Sequence, residues 1–196
     1  MVPSEMLQIW QQPAGYRPGA TLASVVRDLP GLRVTELAID HLQVGQEGRG
    51  WTFEIQERPQ ALFLMHLVTC RFQWQRPTHV VAPLRIRLRH SGWWRRTGLA
   101  FRILEGRDPA REQWCAELVR DAALIEALQV LAFRHLELER RGGQWRLVLE
   151  PYAASEVVSR FPAYRRYLRL LPDQAQAALQ VLARLQAWIA PEVAPG

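Results

Sequence analysis

Arg85, Arg87 and Arg89 stand at alternate positions of the chain. In an extended strand this puts three guanidiniums on one face at a repeat of about 6.6 Å. That is close to twice the phosphate repeat of a nucleic-acid strand, and an arginine fork can hold a phosphate through two parallel hydrogen bonds. Trp93, Trp94, Arg95 and Arg96 follow a few residues later. Indoles stack on bases, enter lipid interfaces and anchor protein interfaces. The candidate binding residues are therefore Arg85, Arg87 and Arg89 as an anion-binding sheet face, with Trp93, Trp94, Arg95 and Arg96 as anchors for a partner. The competing reading is a solvated face whose arginines find carboxylates on adjacent strands.

Other groupings have weaker chemistry. His135, Glu137 and Glu139 alternate along one segment and are of metal-ligand type, but cross-strand ion pairing accounts for them without a metal. His66 and Cys70 share a strand face inside an apolar run, as core residues do. Residues 164–169 place Tyr164, Tyr167 and Leu168 beside Arg165, Arg166 and Arg169, which reads as a basic amphipathic turn of helix. No nucleophile elbow, glycine-rich phosphate loop or paired histidine motif occurs. The sequence calls for no cofactor and no metal.

Composition sets the frame. All 25 basic residues are arginine and 19 residues are acidic, for a net charge of +6. A basic balance favours anionic partners, although arginine usage alone can reflect genome composition. Two cysteines in 196 residues do not make a disulfide scaffold, so Cys70 and Cys115 are expected reduced, in a cytoplasmic protein. Residues 1–12 have no basic, apolar signal pattern. The apolar stretch 61–70 is about half the length a membrane-spanning helix needs, so no membrane span is expected.

The elements follow from periodicity. Residues 1–19 read as an irregular arm, and Leu22, Val25, Val26 and Leu29 as a short helix ending at Pro30-Gly31. From Leu32 onward the period is two: Trp51, Phe53 and Ile55 alternate with polar residues, as do Leu84, Ile86 and Leu88, then Leu99, Phe101 and Ile103. Residues 61–74 read as a central strand, with a buried helix as the other reading of their first half. Asp108-Pro109 starts a helical region that breaks near Asp121. Gly142-Gly143 closes a hairpin whose register sets Leu138 against Leu147, Glu139 against Arg146 and His135 against Glu150. Residues 155–190 are expected to be helical.

The expectation is one α+β domain over residues 1–196: an antiparallel sheet of about five or six strands, helices packed on one face, and a C-terminal helical hairpin. Its expected function is binding, with a protein partner, a second copy or a small ligand as occupant. Binding of nucleic acid or an acidic lipid surface by the arginine face is the alternative. An enzyme with a scattered site is the third class.

Overall fold

The structure, a computed structural model, describes residues 16–29, 31–45, 52–91, 98–160 and 162–192. Its strands are β1 (Arg33–Ala38), β2 (His41–Gly45), β3 (Thr52–Ala61), β4 (Met65–Pro77), β5 (Leu84–Ser91), β6 (Gly98–Glu105), β7 (Phe133–Arg141), β8 (Gln144–Pro151), β9 (Ser155–Arg160) and β10 (Ala163–Leu168). The helices are α1 (Ala20–Asp28), α2 (Pro109–Leu118), α3 (Ala122–Val130) and α4 (Pro172–Ile189). All pairings are antiparallel, and eight strands run in the order β1-β2-β3-β4-β8-β7-β5-β6.

Strand β4 organises the sheet because it is long enough to serve two neighbours. Its C-terminal half pairs β8 from Phe72↔Leu149 to Pro77↔Gln144, and its N-terminal half pairs β9 from Met65↔Ser159 to Thr69↔Ser155. Between them Ala154 takes a left-handed conformation at φ 55°, and its carbonyl accepts from the Cys70 amide at 3.2 Å. That step transfers the chain from one half of β4 to the other, and β10 then adds to β9.

The expected five- or six-stranded sheet, with helices on one face and a closing helical hairpin, is thus corrected to a ten-stranded sheet with four helices among the described residues. The first half of residues 155–190 is the pair β9 and β10. Their tyrosines and leucines fall by coincidence at helical spacing. What decides the conformation is long-range pairing with β4 and the internal ion pair of Arg165 with Glu156, its Nη2 donating to Oε2 at 3.0 Å. The residues read as a basic amphipathic turn, 164–169, accordingly lie in the edge strand β10 as far as Leu168. Asp173 lies inside the first turn of α4, which begins at Pro172.

Local signals held elsewhere. Asp108 accepts from the Arg111 amide at 2.9 Å and caps α2, and Asp121 accepts from the Leu124 amide at 3.0 Å and caps α3. Gly142 and Gly143 both have positive φ, 59° and 72°, as a primed two-residue turn requires. The pairs Leu138↔Leu147, Glu139↔Arg146 and His135↔Glu150 follow in the anticipated register.

One parity of the strands is apolar. Phe53, Ile55, Phe72, Ile86, Leu136, Leu138 and Leu147 join Leu22 and Val25 of α1, Leu118 of α2, Leu128 of α3 and Leu182 of α4 in a single core. The other parity is polar and holds the candidate site.

Candidate binding face

Pairing fixes which side chains meet on the polar parity. Arg85 and Arg87 of β5 oppose Glu139 and Glu137 of β7, so the arginine column lies beside an acidic column. Glu137, only 7% exposed, uses both oxygens: Arg85 Nε donates to Oε1 at 2.8 Å, while Arg87 Nε and Nη2 donate to Oε2 at 3.1 and 2.9 Å. Burial works to raise the Glu137 pKa, but the bonds from the two arginines outweigh it and hold the carboxyl below its ordinary value. Glu137 in turn raises the pKa of Arg85. One carboxylate thus fixes two guanidiniums and leaves a residual positive charge.

The lattice continues into β8, β4 and β3. Arg71 Nε and Nη2 donate to Glu150 Oε1 at 2.8 and 2.7 Å. Arg146 Nη2 donates to Gln73 Oε1 at 3.3 Å, and Gln73 Nε2 donates to Glu54 Oε2 at 3.1 Å. Burial, with Arg71 and Arg146 nearby, lowers the Arg58 pKa. His135 lies 3.7 Å from Glu137, yet burial outweighs the pull of Glu137 and Glu150 and lowers its pKa, which favours the neutral ring. The register anticipated from the Gly-Gly turn is correct, but the ion pairs across it are not the simple ones: Glu150 is held by Arg71 and Arg146 reaches Gln73.

Arg89 continues the arginine column, and Arg102 opposes Arg87 from β6. No ion pair engages either one among the described residues. Trp93, Trp94, Arg95 and Arg96 lie outside the described residues; Ser91 and Gly98 on either side pair with each other.

Other candidates resolve into structural roles. His66 and Cys70 are buried, at 1% and 0% exposure. Burial first, then Glu57 and Glu156, push the Cys70 thiol well up, so it is no ready thiolate nucleophile. Burial likewise pushes Cys115 up to about 12. Among the described residues no group of three or more histidine, cysteine or acidic side chains converges to hold a metal ion. A cleft of about 460 Å³ between α3 and α4 is lined by residues such as Ala123, Ala127, Ala177 and Ala183 with Glu126 and Arg184, and no histidine lines it.

Alternation within β5 reveals the arginine column, but not what surrounds it. Arg58, Arg71 and Arg146 join the face only through strand order. One linear signal was available: residues 58–104 contain nine arginines and no acidic residue, so β4 and β5 carry no acid and every carboxylate beside their arginines comes from another strand.

No helix among the described residues is long and apolar enough to cross a membrane. No curated protein and no solved structure matches the chain. Residues 27–189 do match a family, described as Protein of unknown function (DUF3156), and the chain belongs to that family.

Proposed function

We propose that this protein is a cytoplasmic binding module whose polar sheet face, centred on Arg85, Arg87 and Arg89, takes a protein partner that presents acidic groups. The observation that carries this reading is the sharing of Glu137 between Arg85 and Arg87. A guanidinium already held in place has less side-chain entropy to lose on binding. The interspersed Glu137, Glu139 and Glu105 favour a partner with charges of both signs over a uniform polyphosphate, because each would repel a phosphate placed over it. Arg89 and Arg102 offer the unspent charge. The cytoplasmic setting rests on Cys70 and Cys115, both free and buried.

A photo-crosslinking residue at position 102 tests this in the native host. A discrete, nuclease-resistant, protease-sensitive adduct is expected, and Arg89→Glu should weaken it. A nuclease-sensitive adduct would replace the protein partner with nucleic acid, and no adduct at position 102 when crosslinkers elsewhere do capture a partner would remove the face as the site.

A further inference from the structure

The turn joining β3 to β4 is made of Leu62, Phe63, Leu64 and Met65, closed by a hydrogen bond from the Leu62 amide to the Met65 carbonyl at 2.8 Å. All four side chains are exposed, and Phe63 is 96% exposed. A hairpin turn normally uses polar or glycine residues, as the Gly142-Gly143 turn of this sheet does. Nothing in the fold needs an aromatic ring here, since an exposed Phe63 contributes nothing to the core.

Strand pairing shows what stands behind the tip. Met65, Ser159 and Tyr164 form one row across β4, β9 and β10, which sets the half-exposed Tyr164 ring on the same face as Met65. Two residues further back, Gln60, Leu67, Val157 and Arg166 form the next row. Arg134 joins that row from β7, its Nη2 donating to Gln60 Oε1 at 3.1 Å. Neither Arg134 nor Arg166 has a carboxylate partner among the described residues. Residues 58–68 and 157–168 contain no acid. At about 3.3 Å per residue the backbone row that carries Arg166, and Gln60 to which Arg134 donates, lies about 7 Å behind the row of Met65 and Tyr164.

We propose that the 62–65 tip inserts into an anionic phospholipid bilayer, with Tyr164 at the interface and Arg134 and Arg166 at the level of the lipid phosphates. The spacing matches the depth, about 5–10 Å, to which interfacial apolar groups sink below the headgroups. The charge matches too, since basic residues next to an apolar anchor are drawn to an anionic leaflet. A second copy of the chain is a poorer occupant, because two-fold pairing of tips would bring Arg134 and Arg166 against their own copies. This attachment uses different residues from the Arg85 strip and does not depend on it.

Flotation of the full chain with protein-free vesicles tests the proposal. Vesicles of phosphatidylcholine with about one third phosphatidylglycerol should carry the protein, and pure phosphatidylcholine should not. Phe63→Ser should weaken binding about tenfold, and Arg134→Gln with Arg166→Gln about fivefold per arginine at low salt. Arg89→Glu should leave vesicle binding close to that of the wild type. A Leu64→Cys variant carrying an environment-sensitive dye reads insertion directly, since Cys70 and Cys115 are buried and stay unlabelled in the folded protein. Blue-shifted emission on the anionic vesicles is expected. The proposal is overturned by vesicle binding indifferent to Phe63→Ser, by an unshifted dye, by no binding to anionic vesicles, or by a dimer that Phe63→Ser dissolves.

Discussion

Glu57 and Glu137 are both nearly out of reach of water, at 1% and 7% exposure, yet they sit in opposite surroundings. Beneath α1, Glu57 meets mainly neutral donors: Tyr16 Oη and the Gly19 amide donate to Oε2 at 2.6 and 3.0 Å, and the Leu22 amide donates to Oε1 at 2.7 Å. Gly19 stands at the N-cap of α1 and has no side chain to cap with. A carboxylate from β3 does that work instead, at the positive end of the helix. Asp28, at the last residue of α1, is similar: it accepts from Tyr167 Oη, Arg169 Nε and the Leu170 amide at 2.9, 2.8 and 3.0 Å. Around α1, buried carboxylates tie separate segments of chain together. On the polar sheet face a carboxylate is shared by cations that outnumber it. The first arrangement holds the fold, whereas the second leaves charge facing outward.

The largest loss of stability is expected at Glu57. Glu57→Ala leaves two amides and a phenol without their acceptor, and should cost about 3 kcal/mol, because hydrogen bonds to a charged group are worth roughly 1.5–3 kcal/mol each and water will re-enter only in part. Glu57→Gln keeps acceptor oxygen and should lose less. Urea midpoints at constant slope measure both. A loss below about 1 kcal/mol for Glu57→Ala would mean that α1 does not depend on this cap.

Glu137→Gln should cost about 1 kcal/mol at neutral pH, since Arg85 and Arg87 are partly exposed and water can take over their hydrogen bonds. Its pH dependence is more telling. The folded pKa lies below the ordinary value of 4.5, so the ionised group's contribution is complete above that value and is lost as pH falls through the folded pKa. Stability curves of wild type and Glu137→Gln should therefore converge at the acid end. Parallel curves down to that end would show that the arginines do not hold this carboxyl.

What the sequence made legible follows the same division. Alternation around Leu84, Ile86 and Leu88, the Asp108 cap of α2, the helix break near Asp121 and the Gly142-Gly143 register are local rules, and the fold obeys them. Residues 155–168 were illegible because Tyr164, Tyr167 and Leu168 stand at helical spacing, whereas in β10 Tyr167 faces away from Tyr164 and Leu168. Only β4, some ninety residues earlier, decides between the two. Glu57 as the cap of α1 was hidden for the same reason, since the cap and the helix are separated by 35 residues. Of the candidate site, the arginine column was visible within β5. Its partners Glu137, Arg71 and Glu150 become neighbours only once the order β4-β8-β7-β5 is known.

The smallest effect is expected where the face is least tied to the fold. Arg89 and Arg102 have no ion pair to lose among the described residues, so Arg89→Glu with Arg102→Glu should change the urea midpoint by no more than about 0.5 kcal/mol equivalent. The same double variant should abolish the crosslinked adduct expected at the polar face, read from a crosslinker placed at Arg87. Removing these two charges without unfolding the chain separates binding from folding on this face, as no change at Glu57 can. A midpoint shift beyond about 1 kcal/mol would instead place Arg89 or Arg102 among the groups that hold the sheet together, and the contrast between the two regions would then be lost.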